Sequence, residues 1–204
     1  MKRQNDTLIS LYLAEHINIA KGFPSMAISK LVDAVKKTYQ GNGEVFVFGN
    51  GGGANTASHF AGDLSIHPFV SEDKHIPTNQ PRLRVNCLTD SVGLITRLAN
   101  DIGYEATFVE QLKSASLNPR DLVIALSNSG NSPNIVHALE YAKMCGATTA
   151  LIGGNGGKAK RYADICILIP GHSHFPGQVG ANDNCFHIED FQSSIAHMVT
   201  GILK

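Results

Sequence analysis

The apolar run Glu44-Val45-Phe46-Val47-Phe48 breaks directly into Gly49-Asn50-Gly51-Gly52-Gly53, and Ala54 to Leu64 follow with the composition of a helix. A strand that hands a glycine-rich turn to a helix start is the nucleus of an α/β layer fold. The turn leaves backbone N–H groups facing outward at the helix N-terminus, which suits an anion. Helical spacing then puts His59 and Asp63, four residues apart, on one face. A phosphate-sized cradle backed by a histidine–carboxylate pair points to chemistry on a small phosphorylated molecule.

The remaining strands are expected at Leu83–Leu88, Asp121–Leu126, Thr148–Ile152 and Ile165–Ile169. Helices are expected over Ser91–Ala99, Asp101–Leu112, Pro133–Cys145 and Phe186–Leu203, with a short one after Gly153-Gly154-Asn155-Gly156-Gly157 that reaches Tyr162. Polar loops fall over Ser71–Pro81 and Gly171–Asn184. Five short apolar strands separated by helices imply a doubly wound, mainly parallel sheet covered on both faces. Leu8, Leu11, Leu13, Ile17 and Ile19 mark an opening helix, and Pro24-Ser25 start a second that ends at Gly41-Asn42-Gly43. The expected organisation is one domain over 1–204, with extra N-terminal helices in 1–40 and the α/β core with its C-terminal helix in 44–204.

The chain's 204 residues suffice for one substantial core. Apolar residues at 43% and charged residues at 17% describe a globular protein. Lys+Arg and Asp+Glu balance at 17 each, so no net field draws it to nucleic acid or to an anionic membrane. Four scattered cysteines without a CxxC pair argue against a disulfide framework, and most are expected to act as small core residues. With no signal-peptide pattern and no long apolar run, a cytoplasmic location is expected.

A second candidate anion site is Ser127-Asn128-Ser129-Gly130-Asn131-Ser132-Pro133, directly after the strongest strand. Ser132 suits the N-cap and Pro133 the first helical position. A plain capped turn explains those two residues but gives no reason for Ser127, Ser129 and Gly130. Hydroxyls, the Asn128 amide and helix-start N–H groups together form a ring of donors for phosphate. The first glycine loop lacks both clean GxGxxG spacing and a GK[ST] ending, which disfavours dinucleotide binding. The Gly153–Gly157 turn has no assigned role.

On the last helix Glu189 and His197 lie eight residues apart, about 12 Å along the axis. They flank an apolar stripe of Ile188, Phe191, Ile195, Met198, Val199 and Ile202. With His59 and Asp63 they form a chemically sound donor set for Zn²⁺, although pairs spaced i,i+4 are common on helices without any metal. The other seven histidines show no comparable pairing beyond His172-Ser173-His174.

Gly49-Asn50-Gly51-Gly52 with His59-Phe60-Ala61, Leu88-Thr89-Asp90 with Asn100-Asp101-Ile102-Gly103-Tyr104-Glu105, Ser127 to Pro133, and the terminal helix with Ile188-Glu189 and His197 occur in this order. Together they resemble the sugar isomerase (SIS) domain family and, within it, the phosphoheptose isomerases. The resemblance implies a homotetramer with shared active sites that converts sedoheptulose 7-phosphate to D-glycero-D-manno-heptose 7-phosphate through an enediol. It implies zinc held at His59, Asp63, Glu189 and His197, with Asp63 as base and His197 as acid/base partner. The sugar phosphate would be bound by Asn50, Gly51, Gly52, Gly53, Asn100, Asp101, Ser127, Asn128, Ser129 and Ser132. Four positions depart from the family pattern: Gly53 replaces serine, Asn128 threonine, Asp63 glutamate and Glu189 glutamine. Two other readings are a tetrameric adaptor, such as those that associate with the bacterial replication initiator, and a sugar-phosphate sensor. The adaptors tend to lose the metal histidines, whereas His59 and His197 are both present here. Ligand-induced stabilisation without turnover would mark the sensor.

Overall fold

A computed structural model describes residues 2–71, 78–178 and 183–204. Parts of both expected polar loops, 72–77 and 179–182, lie outside the described residues. The chain runs α1 (Lys2–Lys21), α2 (Ser25–Gln40), β1 (Glu44–Gly49), α3 (Gly52–Ile66), β2 (Arg84–Cys87), α4 (Val92–Asp101) and α5 (Val109–Ser114). It continues through β3 (Leu122–Ser127), α6 (Pro133–Met144), β4 (Thr148–Gly153), β5 (Ile165–Leu168) and α7 (Cys185–Leu203).

The five strands form one sheet in the order β2-β1-β3-β4-β5, parallel at every pairing. Strand order reverses between β1 and β3, and ligands in such sheets bind outside the carboxyl ends at that reversal. The register brings Gly49 opposite Leu126 and Ser127 opposite Gly153. The glycine loop, the serine loop and the third turn therefore leave the sheet at one edge.

Side-chain alternation along each strand divides the interior in two. Val45, Val47, Leu122, Ile124, Leu126 and Ile152 pack with buried residues of α2, α3 and α7. Phe46, Phe48, Val123, Ala125 and Leu151 pack instead with Leu112, Ile135, Ala138 and Leu139 of α5 and α6. Covering both faces is what allows the inner strands β1, β3 and β4 to be apolar over most of their length.

Three expectations change. The helix expected over Asp101–Leu112 is broken, because Gly103 sits at φ 142°, leaving a 3₁₀ turn at Tyr104–Ala106 before α5. On α7, Met198 and Ile202 are 37% and 58% exposed, so the apolar stripe of that helix extends past the core this chain supplies. Of the cysteines only Cys185 is fully buried, and none of the four forms a disulfide. On α1, Ile9, Leu13 and Ile17 are also more than half exposed, one above another at four-residue spacing. Among the described residues no helix is long and apolar enough to cross a membrane.

Candidate active site

At the end of β3 the serine loop is held by its own side chains. Ser127 Oγ accepts the Gly130 N–H at 3.1 Å, and Ser129 Oγ accepts the Asn131 N–H at 3.2 Å. Ser132 occupies the N-cap position of α6 without a side-chain capping bond, and Pro133 follows at the first helical position. The Gly153–Gly157 turn supplies the bracing. Gly154 N–H donates to Asn128 O at 3.0 Å, Ala159 N–H to Gly130 O at 2.9 Å, and Lys158 N–H to Asn131 Oδ1 at 3.0 Å. Gly130 has φ 64°, and a Cβ there would collide with the Gly156 backbone. Gly130→Ala combines backbone strain with overpacking, and an unfolding titration should show a loss of about 3 kcal/mol.

Gly51 turns the first loop at φ 54°, with Gly52 and Gly53 in the first turn of α3, where a helix leaves its N–H groups without internal partners. Asn50 is already engaged. Its Nδ2 donates to Asn134 Oδ1 at 3.0 Å, while its Oδ1 accepts from Asn134 Nδ2 and from the Tyr104 hydroxyl, both at 2.9 Å. Asn134 is fully buried and lies 3.4 Å from Thr107 Oγ1. Asn134, Tyr104 and Thr107 thus fix the glycine loop and the serine loop to each other, a role that sequence spacing did not reveal. Asn134 directly after a helix-starting proline was the available signal. Asn100 and Asp101 bond to each other at 2.9 Å, and Arg97 lies 3.5 Å from Asp101, at the exposed end of α4. These contacts do not extend to the serine loop, although Tyr104, a few residues on, links the segment to Asn50.

The chemistry-bearing groups lie along a seam where α3 and α7 run side by side in the same direction. At its start a Cβ on Gly52 would collide with the Glu189 carboxylate, whose Oε1 accepts from Asn128 Nδ2 at 2.9 Å. Midway, Thr56 Oγ1 and Ser193 Oγ are 3.4 Å apart. Further along, Asp63 Oδ2 stands 3.4 Å from His59 Nε2 and 4.0 Å from His197 Nε2. The two imidazoles meet edge to face with centroids 5.1 Å apart. The structure therefore groups His59, Asp63 and His197 within metal-ligating reach of one another, while the Glu189 carboxylate faces the glycine and serine loops. Gln192, fully buried, donates to Ile152 O at 3.1 Å and to Asn128 Oδ1 at 3.3 Å, tying α7 to the serine loop. The His59 and His197 side chains are 54% and 59% exposed, leaving the group open to solvent on one side. A groove of about 690 Å³ between β2, α4 and α5 contains none of these residues.

The SIS domain signature matches residues 12–154. The phosphoheptose isomerase of Chlorobium phaeobacteroides is 36% identical over 198 residues, 97% of this chain and 79% of that protein. The phosphoheptose isomerase of Akkermansia muciniphila is 31% identical over 203 residues, 96% of this chain and 97% of that protein. A phosphoheptose isomerase structure from Francisella tularensis superposes with a TM-score of 0.79 at 24% identity, covering 99% of this chain and 96% of that one. The phosphoheptose isomerase structure from Neisseria gonorrhoeae gives a TM-score of 0.80 at 18% identity, covering 100% and 98%; these two likenesses speak to the fold. The chain belongs to the SIS-domain family and, within it, to the phosphoheptose isomerases, which are phosphosugar isomerases.

Proposed function

We propose that this chain interconverts an aldose and a ketose phosphate, with sedoheptulose 7-phosphate and D-glycero-D-manno-heptose 7-phosphate as the pair. The observation that carries the reading is the Asp63 carboxylate between His59 and His197, on the helix whose first turn forms part of the phosphate cradle. Along α3 the cradle and the carboxylate are separated by about 16 Å of helical rise. Long side chains and a substrate several carbons in length close that gap, which suits a sugar with its carbonyl and phosphate at opposite ends.

In this reading the serine loop and the start of α3 bind the phosphate and fix the direction of the sugar chain. Asp63 removes the proton alpha to the carbonyl. The electrons left behind and a proton taken up by the carbonyl oxygen give the enediol; His197 returns a proton to the former carbonyl carbon as the neighbouring hydroxyl loses its own. Two imidazoles and a carboxylate within 4.8 Å of one another fit a divalent cation of the zinc class. His59, Asp63 and His197 would hold it, with Glu189 joining if its side chain leaves Asn128. Bound there, Zn²⁺ would supply Lewis-acid polarisation of the substrate carbonyl.

The exposed imidazoles and the apolar stripe of Ile9, Leu13 and Ile17 support a homotetramer in which neighbouring copies cover both. Four cysteines outside any disulfide are in keeping with the cytoplasm. Retention of both histidines favours the enzyme over an adaptor. The test is isomerisation of sedoheptulose 7-phosphate by the parent protein and by His197→Ala. Turnover should vanish in the variant with its unfolding midpoint unchanged, since the side chain is more than half exposed. Undiminished turnover would remove His197 from the mechanism. A parent protein stabilised by the ketose phosphate but inert toward it would be a sensor.

A further inference from the structure

A second histidine cluster lies at the other end of α7. His16 on α1 and His187 on α7 bring their Nδ1 atoms to 3.2 Å, and Asp190 Oδ2 is 3.9 Å from His16 Nδ1. These three donor atoms lie within 4.8 Å of one another. This overturns the sequence expectation that neither histidine is paired. We propose that His16, His187 and Asp190 form a second divalent-cation site, of the zinc class, which clamps α1 to the first turn of α7.

The geometry fits the ion. Zinc–nitrogen bonds of about 2.0–2.1 Å at a tetrahedral angle put two ligand nitrogens about 3.3 Å apart. The observed 3.2 Å between the imidazoles already matches that spacing. Asp190, with half of its side chain exposed, has its Oδ2 about 0.6 Å farther from His16 Nδ1 than that spacing.

The surroundings fix which atoms are available. His187 is fully buried, and its Nε2 lies 3.5 Å from Glu15 Oε2. That carboxylate favours a proton on Nε2 and leaves the Nδ1 lone pair aimed at His16, the carboxylate–histidine–metal arrangement of outer-shell support. Glu15 also accepts from Ser173 Oγ and from the His174 N–H, which hold its carboxylate in place beside His187. Tyr12 donates its hydroxyl to Asp190 Oδ2, giving the third ligand its own outer-shell partner.

Aromatic rings hold the imidazoles in place. Tyr12 stacks on His187 and Phe191 on His16, each with centroids 4.1 Å apart. With a cation on both Nδ1 atoms, His16 would carry its proton on the outer Nε2. His16 and Asp190 are 30% and 52% exposed, which leaves a route for entry and an open coordination position for water. His187 and His197 are ten residues apart, about 15 Å along α7, so the two sites cannot share one ion.

Zinc counting in the full-length protein tests the proposal. In His59→Ala/His197→Ala, which removes the active-site imidazoles, one zinc per chain should remain and added Zn²⁺ should raise the melting temperature. Adding His16→Ala should abolish both. Adding Asp190→Asn instead should weaken zinc binding by about tenfold or more, as loss of one anionic ligand implies, and Co²⁺ loaded into the double variant should show the visible absorption of a site with nitrogen ligands. A double variant that holds no zinc, or one whose zinc survives His16→Ala, would overturn the site. Should the active-site metal be the reading that fails, the parent would hold a single zinc, lost with His16→Ala and retained in His59→Ala/His197→Ala.

Discussion

Asp63→Asn is expected to lower kcat for sedoheptulose 7-phosphate by about 10³-fold, the scale of a positioned general base. The amide keeps the shape of the carboxylate but cannot take a proton at neutral pH. A 10³-fold loss corresponds to about 4 kcal/mol of transition-state stabilisation. That is far more than a partly exposed side chain contributes to folding. Because Asp63 lies beside both His59 and His197, the substitution also bears on the metal, and zinc content must be measured on the same sample. A dead variant with full zinc assigns Asp63 as the base. A dead variant without zinc assigns it as a ligand, and zinc repletion then reads the base role separately. Asp63→Glu, which restores the residue usual in the family, should retain turnover, because the longer side chain reaches further from α3. A kcat for Asp63→Asn within threefold of the parent would remove Asp63 from the chemistry altogether.

The sequence disclosed those parts of the molecule that depend on local rules. The inner strands are short apolar runs, bounded by glycines at β1 and β4, and β1, β3 and β4 fall where those runs lie. His59 and Asp63 share a face because helical spacing requires it. The break at Gly103 was hidden because apolar residues continue through Ile102 and Phe108, and only the contact of Tyr104 with Asn50 shows why the chain turns there. The bracing by Gly153–Gly157 was equally hidden, since it depends on β3 and β4 being neighbours in the sheet. His16 and His187 are 171 positions apart, and no periodicity connects two helices that meet only through the fold.

Glu189 shows the same limit within the site. Its distance from His197 along α7 followed from helical rise, but the consequence depended on how α7 lies against α3. Because the two helices run in the same direction, Glu189 falls beside the glycine loop and His197 beside Asp63. In the proposed reaction one helix face would serve both the binding end and the reacting end of a single elongated substrate. The open side of the His59–Asp63–His197 group and the exposed apolar stripe of α1 are two unfinished surfaces of the same chain. A second copy that covers the α1 stripe and adds side chains to the open face would complete both.

Glu189→Gln is expected to tighten binding of inorganic phosphate by about tenfold. The Glu189 carboxylate lies against Gly52 at the start of α3 and accepts the Asn128 amide, so it takes up donors that a phosphate would use. A helix N-terminus stabilises an anion by about 0.3–1 kcal/mol, and here the protein's own carboxylate is that anion. Phosphate must displace it or bind beside it, and two like charges at about 4 Å repel by several kcal/mol at an effective dielectric of 20. Solvent and side-chain movement screen most of that repulsion; a residual of about 1.4 kcal/mol is a factor of ten. Glutamine removes the charge and keeps a carbonyl oxygen for Asn128. The same substitution should lower the stability of the ligand-free protein slightly, because the helix loses its anion. Tighter phosphate binding in a less stable protein is a pairing that loss of packing would not produce. Calorimetric titration with phosphate beside a thermal melt reads both. Equal or weaker phosphate affinity in Glu189→Gln would mean that the carboxylate stands clear of the phosphate, and the cradle would then have to be placed on the Ser127–Ser132 side alone.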